Sequence, residues 1–263
     1  MKSYVIALST ILTVPTVSAM PIVSGFDQYN GEPNPQNIGF EVNFLGGIFD
    51  EFYINRRGNV TFNTSMSSFA GDLNQHGQHI IAPFFEGITT PLTNQNITFG
   101  SGFFEGYDSY GVNWTDVSGL ATSGTNTFQL LLVNRWDPAD DTTYQGDFDA
   151  IFNYGKIEWD KSLLGETSRI GFSAPGGTVD NNTFFQLHGS PGTFVDETGS
   201  YSLVDNSINS NVVGRYVFNF RDGEYVPPVQ VPEPGIMLLL GISLLLMGVM
   251  HPSITRSLVI PRQ

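Results

Sequence analysis

Cysteine is absent from the 263 residues, which excludes a disulfide framework, a thiolate nucleophile and any Cys-ligated metal site. Exported eukaryotic domains of this type usually carry bridges, so the absence points to a bacterial source and to a fold held by burial alone. Basic residues are few as well. Of the 11 Lys and Arg, Lys2, Arg256 and Arg262 fall near the ends, whereas all 25 Asp and Glu lie between residues 20 and 234. That stretch sets 8 basic against 25 acidic side chains, net −17, and such a surface repels nucleic acid and anionic lipid. The sequence has no Gly-x-Ser-x-Gly elbow and no Gly-rich phosphate loop, so the common signatures of acyl and phosphoryl transfer are missing. What it has instead is 29 Gly, 21 Phe and 10 Tyr, a composition of many turns between aromatic-rich strands.

Both ends read as addresses. Lys2, the apolar stretch from Val5 to Val14 and the small-residue site Val17-Ser18-Ala19 predict a helical secretory signal peptide over residues 1–19, cleaved after Ala19. Residues 226–235, Val-Pro-Pro-Val-Gln-Val-Pro-Glu-Pro-Gly, continue neither a helix nor a central strand, because proline fixes φ and lacks the donor. They form a linker. Ile236 to Met250 is uncharged and rich in Leu, Ile and Met; as a helix it measures about 22 Å, against a hydrocarbon thickness of about 30 Å. Arg256 and Arg262 follow without an acidic residue, which places residues 251–263 in the cytoplasm and the domain outside. The linker and anchor resemble the PEP-CTERM sorting signal, with Val231-Pro232-Glu233-Pro234 matching its motif letter for letter. That resemblance implies an exosortase-type processing enzyme, passage through the inner membrane and a cell-surface or extracellular destination. Two scattered arginines stand where the signal usually has a tight basic cluster.

Between these ends, residues 20–225, alternation with period 2 predicts an all-β, antiparallel sandwich with short or no helices. Phe128, Leu130 and Leu132 share one face, and Leu131 and Val133 occupy the other with Gln129 and Arg135, so this strand is expected to be central and covered on both sides. Phe148, Ala150, Phe152 and Tyr154 point inward, and the opposite face, with Asp147, Asp149 and Asn153, is expected to meet solvent. Tyr216, Phe218 and Phe220 repeat the device. Turns are predicted at Arg57-Gly58-Asn59, at Tyr154-Gly155-Lys156 and at Pro175-Gly176-Gly177. One helical turn is allowed over Ser65 to Gly71.

Several strand fragments occur in a fixed order: Ile54 to Phe62 (INRRGNVTF), Ile81 to Phe85 (IAPFF), Val112-Asn113-Trp114, Asn126 to Leu130 (NTFQL) and Gly146 to Trp159 (GDFDAIFNYGKIEW). With Gly171-Phe172-Ser173 and Gly214 to Phe218 they resemble the nidogen-like (NIDO) extracellular domain over roughly residues 45–220. The resemblance implies a module of adhesion or matrix proteins without catalytic machinery. Glu86-Gly87-Ile88 stands where that family often carries an Asp-containing acidic loop.

Three groups of residues invite chemistry. His76 and His79 have an i, i+3 spacing with Glu86 nearby in sequence, but no third ligand is signalled, and the Gly- and Gln-rich surroundings predict a solvated loop. Asp137, Asp140, Asp141, Asp147 and Asp149 form the one dense acidic group and the weak candidates for calcium; they lack the Gly and terminal Glu of an EF-hand, and an ordinary acidic hairpin loop is the competing reading. Glu158 beside Trp159 suggests a glycosidase acid, yet alternation puts Glu158 on the outer face with Lys156 and Asp160, solvated and paired with a lysine. The expectation is therefore no enzyme and no required cofactor. An exported surface or matrix protein is expected to act in adhesion, biofilm or matrix assembly, with an extracellular protein or polysaccharide as partner. A calcium-assisted carbohydrate-binding module is the alternative.

Overall fold

The structure is a computed structural model that describes residues 22–30, 35–68, 71–90, 96–163, 167–187, 189, 192–196 and 198–228. Two compact units divide at Pro227/Pro228. The residues expected to form a signal peptide, with Ala19, the Val231–Pro234 motif, the 236–250 segment and residues 251–263 lie outside the described residues. No helix among the described residues is long and apolar enough to cross a membrane.

Among the described residues thirteen strands make two antiparallel sheets. The larger, ordered β1-β6-β7-β8-β9-β12-β13, contains β1 (Tyr29–Asn30), β6 (Ile97–Phe104), β7 (Tyr107–Val117), β8 (Asn126–Asn134), β9 (Phe148–Ile157), β12 (Arg215–Arg221) and β13 (Glu224–Val226). The smaller, ordered β11-β10-β5-β4-β3-β2, contains β2 (Gln36–Phe44), β3 (Gly47–Asn55), β4 (Asn59–Thr61), β5 (Ile80–Phe85), β10 (Arg169–Ser173) and β11 (Phe184–Leu187). A 3-10 turn at Leu73–Gln75 is the helical element among the described residues; the helical turn expected over Ser65 to Gly71 is displaced to it, and Ser65–Ser68 carry no regular structure.

The inward aromatics pack the two sheets face to face, as alternation predicts. Phe84 of β5 lies 5.3 Å from Phe128 of β8, and Phe172 of β10 lies 5.5 Å from Phe218 of β12 (ring centroids). Trp114 and Tyr154 sit in the same layer and satisfy their polar atoms across it: Trp114 Nε1 donates to the Asn55 carbonyl at 3.2 Å and the Tyr154 hydroxyl to the Pro83 carbonyl at 2.7 Å. Burial pushes the Tyr154 phenol well above its ordinary pKa. Each fully buried aromatic contributes about 1.5–3 kcal/mol before the entropy of ordering is charged.

β8 is central, between β7 and β9, and is buried on both faces. The turn at Gly58 forms between β3 and β4 with φ +76°, and a Cβ there would strike the Phe84 carbonyl oxygen. The turn expected at Tyr154-Gly155-Lys156 does not form. β9 runs unbroken to Ile157, and the pairing with β8 shifts register there, with Thr127 opposite Lys156 and Phe128 opposite Tyr154. Gly155 is the extra residue of that bulge, which is the other use of a glycine inside a strand.

Candidate functional site

The outer face of the larger sheet, expected to meet solvent at β9 and to be covered at β8, is largely covered at both. Register places Asn113, Gln129, Asn153 and Arg215 side by side on β7, β8, β9 and β12. Their side chains join into one ladder: Gln129 Nε2 donates to Asn113 Oδ1 at 2.7 Å, Asn153 Nδ2 to Gln129 Oε1 at 2.9 Å, and Arg215 Nε to Asn153 Oδ1 at 2.9 Å. Asn113 Nδ2 extends the ladder to Thr98 Oγ1 on β6 at 3.0 Å. Gln129 and Asn153 are fully buried, so each amide must find partners at the register where both its donors and its acceptor are matched.

The cover over this ladder is the chain's own segment Ile22–Gln28. The Val23 amide donates to Gln129 Oε1 at 3.1 Å, Gln129 Nε2 donates back to the Val23 carbonyl at 2.7 Å, and Asn113 Nδ2 donates to the Phe26 carbonyl at 2.7 Å. Phe26 is buried on Phe104, Leu131, Val133 and Ile151, with Val23 and Val217 beside it. Glycine inside a strand is ordinarily unfavourable, and Gly102 and Gly111 find their reason here: a Cβ on either would collide with the Phe26 ring. The strap therefore lies in a trough that the sequence carves with missing side chains. Gly111→Val should expel Phe26, lower the melting temperature and open residues 22–28 to limited proteolysis; unchanged cleavage would disprove the trough.

Beyond the strap the face becomes basic. Asp149 sits between two arginines, accepting from Arg135 Nε at 2.6 Å and from Arg221 Nη2 at 2.8 Å. Arg135 also stacks on Tyr107, 4.4 Å from the ring centre, and Arg215 on Phe104 at 5.1 Å. Arg135 and Arg215 line one cavity of about 310 Å³, floored by Phe104, Ile151 and Val217 and walled by Asn209 to Val212. Burial pulls the Arg215 guanidinium down from its ordinary pKa, and the nearby Glu105 opposes that.

Residues 50–222 match the nidogen-like domain family. The chain belongs to that family. Alpha-tectorin of Mus musculus is 25% identical over 234 residues, covering 76% of this chain and 10% of the tectorin, and alpha-tectorin of Homo sapiens is 24% identical over the same share. The chain thus spans about a tenth of the length of the curated relatives it matches. No solved structure matches significantly. The strap and β2 precede the matched residues, whereas the ladder, both arginine pairs and the cavity fall inside the nidogen-like match.

In this nidogen-like domain the five aspartates considered for calcium do not converge. Asp137 accepts the Ala139 amide at 2.8 Å, Asp140 accepts the amide and hydroxyl of Thr142, and Asp141 is exposed beside them. The Thr142 hydroxyl, with its amide, holds the Asp140 carboxyl below its ordinary range. Asp147 and Asp149 are buried rather than solvent-facing: Asp147 accepts the amides of Tyr144 and Asp222, and Asp149 is neutralised by its two arginines. Their oxygens are spent on closing loops and on guanidinium groups. No group of three or more His, Asp or Glu able to hold a metal exists among the described residues.

The histidine loop is also more buried than its composition predicts, and the two rings separate. His76 packs edge-on against Phe85 at 5.2 Å, while His79 lies 5.0 Å from Phe49 and 5.6 Å from Phe44. Burial lowers both imidazole pKa values, with a hydrogen bond to Leu45 partly opposing this at His79. Glu86 is fully buried; Ser162 Oγ donates to its Oε1 at 2.6 Å and Oε2 has no hydrogen-bond partner among the described residues. Burial raises its pKa, with the Ser162 hydrogen bond opposing. The signs differ. Histidines held below the ordinary value of 6.5 confer stability that is complete above that pH and is lost as pH falls through their folded values. A carboxyl raised above 4.5 confers stability below that pH, lost as pH rises through its folded value. Melting curves between pH 4.5 and 7.5 should therefore show His79→Phe flattening the fall in stability on acidification and Glu86→Gln steepening it. The same slope in both variants and wild type would refute the assignment.

Glu158 behaves as alternation predicts. It is exposed, lies 3.8 Å from Lys156 Nζ and accepts the Thr125 amide, and the same lysine holds Asp116 at 2.8 Å. Asp160, which alternation places on the outer face with Glu158, is 2% exposed, and Asp196, which reads as a surface acid, is also engaged within the fold. Asp160 is buried and accepts the amides of Gly192 and Phe194, and Asp196 accepts the Ile157 amide, so the pair fastens the loop before β12 onto the end of β9. Strand alternation carries no signal for a carboxylate whose partner is a distant backbone amide.

Proposed function

We propose that this chain is an exported, non-enzymatic extracellular module that works by surface contact in adhesion, biofilm or matrix assembly. The nidogen-like match over residues 50–222 carries this reading. Its similarity to alpha-tectorin fits a structural role in an extracellular assembly. Met20 and Pro21 separate the Val17-Ser18-Ala19 site from Ile22 of the strap, so cleavage after Ala19 brings the new N-terminus close in sequence to the segment that covers the ladder. In the proposed sequence of events an exosortase-type enzyme recognises Val231-Pro232-Glu233-Pro234, the 236–250 segment holds the chain briefly in the inner membrane of a bacterium, and the acidic body is delivered outside. Intact-mass measurement of the secreted protein is expected to give a chain that starts at Met20 and ends near Pro234. A full-length chain soluble in the cytosol would overturn the export reading.

The calcium-assisted carbohydrate-binding alternative ranks second, because Asp137, Asp140, Asp147 and Asp149 each already accept hydrogen bonds within the fold.

A further inference from the structure

We propose that the cavity on the outer face of the larger sheet binds a single carboxylate-bearing sugar, a uronate-type residue, without a metal. The cavity holds about 310 Å³, at the small end of the range for small-molecule sites, about 300–1,000 Å³. Of the few basic residues of this acidic body, Arg135 and Arg215 both line it. Arg135 spends Nε on Asp149, and among the described residues its terminal nitrogens donate no hydrogen bond. Stacking on Tyr107 fixes its plane, and Arg215 is fixed by Asn153 and Phe104. Two immobilised guanidinium planes are matched to a planar carboxylate and gain little from a spherical ion.

The rest of the wall suits a sugar ring. Phe104, Ile151 and Val217 offer an apolar floor, and Ser210 and the exposed Asn211 offer a hydroxyl and an amide to ring hydroxyls. The rim is preformed: Ser210 Oγ accepts the Val212 amide at 3.0 Å and the Ser210 carbonyl accepts Ser207 Oγ at 2.9 Å. One charge per ligand is the fitting number. A body of net −17 repels a densely charged chain at long range, whereas one carboxylate meets the local pair of arginines, with Glu105 the acidic residue in the lining and Asp149 behind Arg135 on its Nε.

The inference rests on the extracellular reading only for where such a sugar is met, and binding in solution is measured independently of export. The full-length chain is titrated calorimetrically with methyl glucuronide, methyl glucoside and acetate at equal ionic strength. Binding of the glucuronide alone is expected. Arg215→Gln should weaken it by at least about tenfold, the loss of a charged hydrogen bond. Glu105→Gln, an exposed turn substitution with the fold intact by circular dichroism, should tighten it by about two- to fivefold, the size of one exposed charge pair. Equal response to the glucoside or to acetate, or a Glu105→Gln variant that is folded yet no tighter, would overturn the proposal. So would the absence of any glucuronide signal, even if the chain proves to be exported.

Discussion

Phe172→Ala is expected to destabilise the domain by about 3–5 kcal/mol, the usual cost of deleting a large aromatic from a packed core. Phe172 is fully buried on β10 of the smaller sheet. It touches Phe44 within its own sheet and, across the layer, Phe218, Phe220 and Tyr225, with ring centres 4.8–6.3 Å away. Several of these contacts are edge-to-face, the favoured geometry for ring quadrupoles, each adding about 0.5–1.5 kcal/mol beyond area. The loss is large against a domain stability of about 5–15 kcal/mol, and with no disulfide in reserve the variant should be close to unfolding at growth temperature. Chemical denaturation should show the midpoint shifted with the slope unchanged. A cost below about 1 kcal/mol would mean that the sheets are not joined through this ring.

The second large effect lies on the opposite face of the larger sheet. Asp149→Ala should cost about 3–5 kcal/mol, because removing one partner of a buried ion pair strands the other charge. Arg135 bears most of this: its side chain is 18% exposed against 34% for Arg221, which can rehydrate more readily. Replacing both members, Asp149→Leu with Arg135→Met, should cost clearly less than Asp149→Ala alone, since the more buried guanidinium is removed and only Arg221, 34% exposed, loses its partner. A double-mutant cycle reads the coupling directly. If the double variant is as unstable as the single, the contribution of Asp149 is packing rather than charge neutralisation. Either variant should also disturb the cavity that Arg135 lines, so stability and glucuronide binding are expected to fall together in this pair, whereas Glu105→Gln separates them.

Legibility differed by face. The inner face could be read residue by residue: Phe128, Leu130 and Leu132 on β8, Phe148, Ala150, Phe152 and Tyr154 on β9 and Tyr216, Phe218 and Phe220 on β12 all point into the core as alternation requires. The outer face was legible at β8, expected to be covered and found so, and misled around β9. Asp147, Asp149 and Asn153 look like solvent-facing strand residues, and each is buried. Gly155 looked like a turn and is a bulge in a continuous strand. The candidate site drew on residues already noted for other reasons, Asn113, Gln129, Asn153 and Arg215 among the family fragments and Asp149 among the calcium candidates, but their grouping was not visible.

The amino-acid order by itself determined the two-sheet architecture, because side chains two apart on a strand must share a face and a run of aromatics on that face can be stable only against another such run. It also determined the charge and the absence of covalent cross-links. Tertiary structure alone decided what covers the outer face. Alternation states which side chains point together and is silent on what lies above them. The partners of Asp149 sit 14 and 72 residues away, and the strap reaches Gln129 across 106 residues. A polar side chain reads the same whether water or a distant arginine completes its hydrogen bonds, and only the closed fold distinguishes the two.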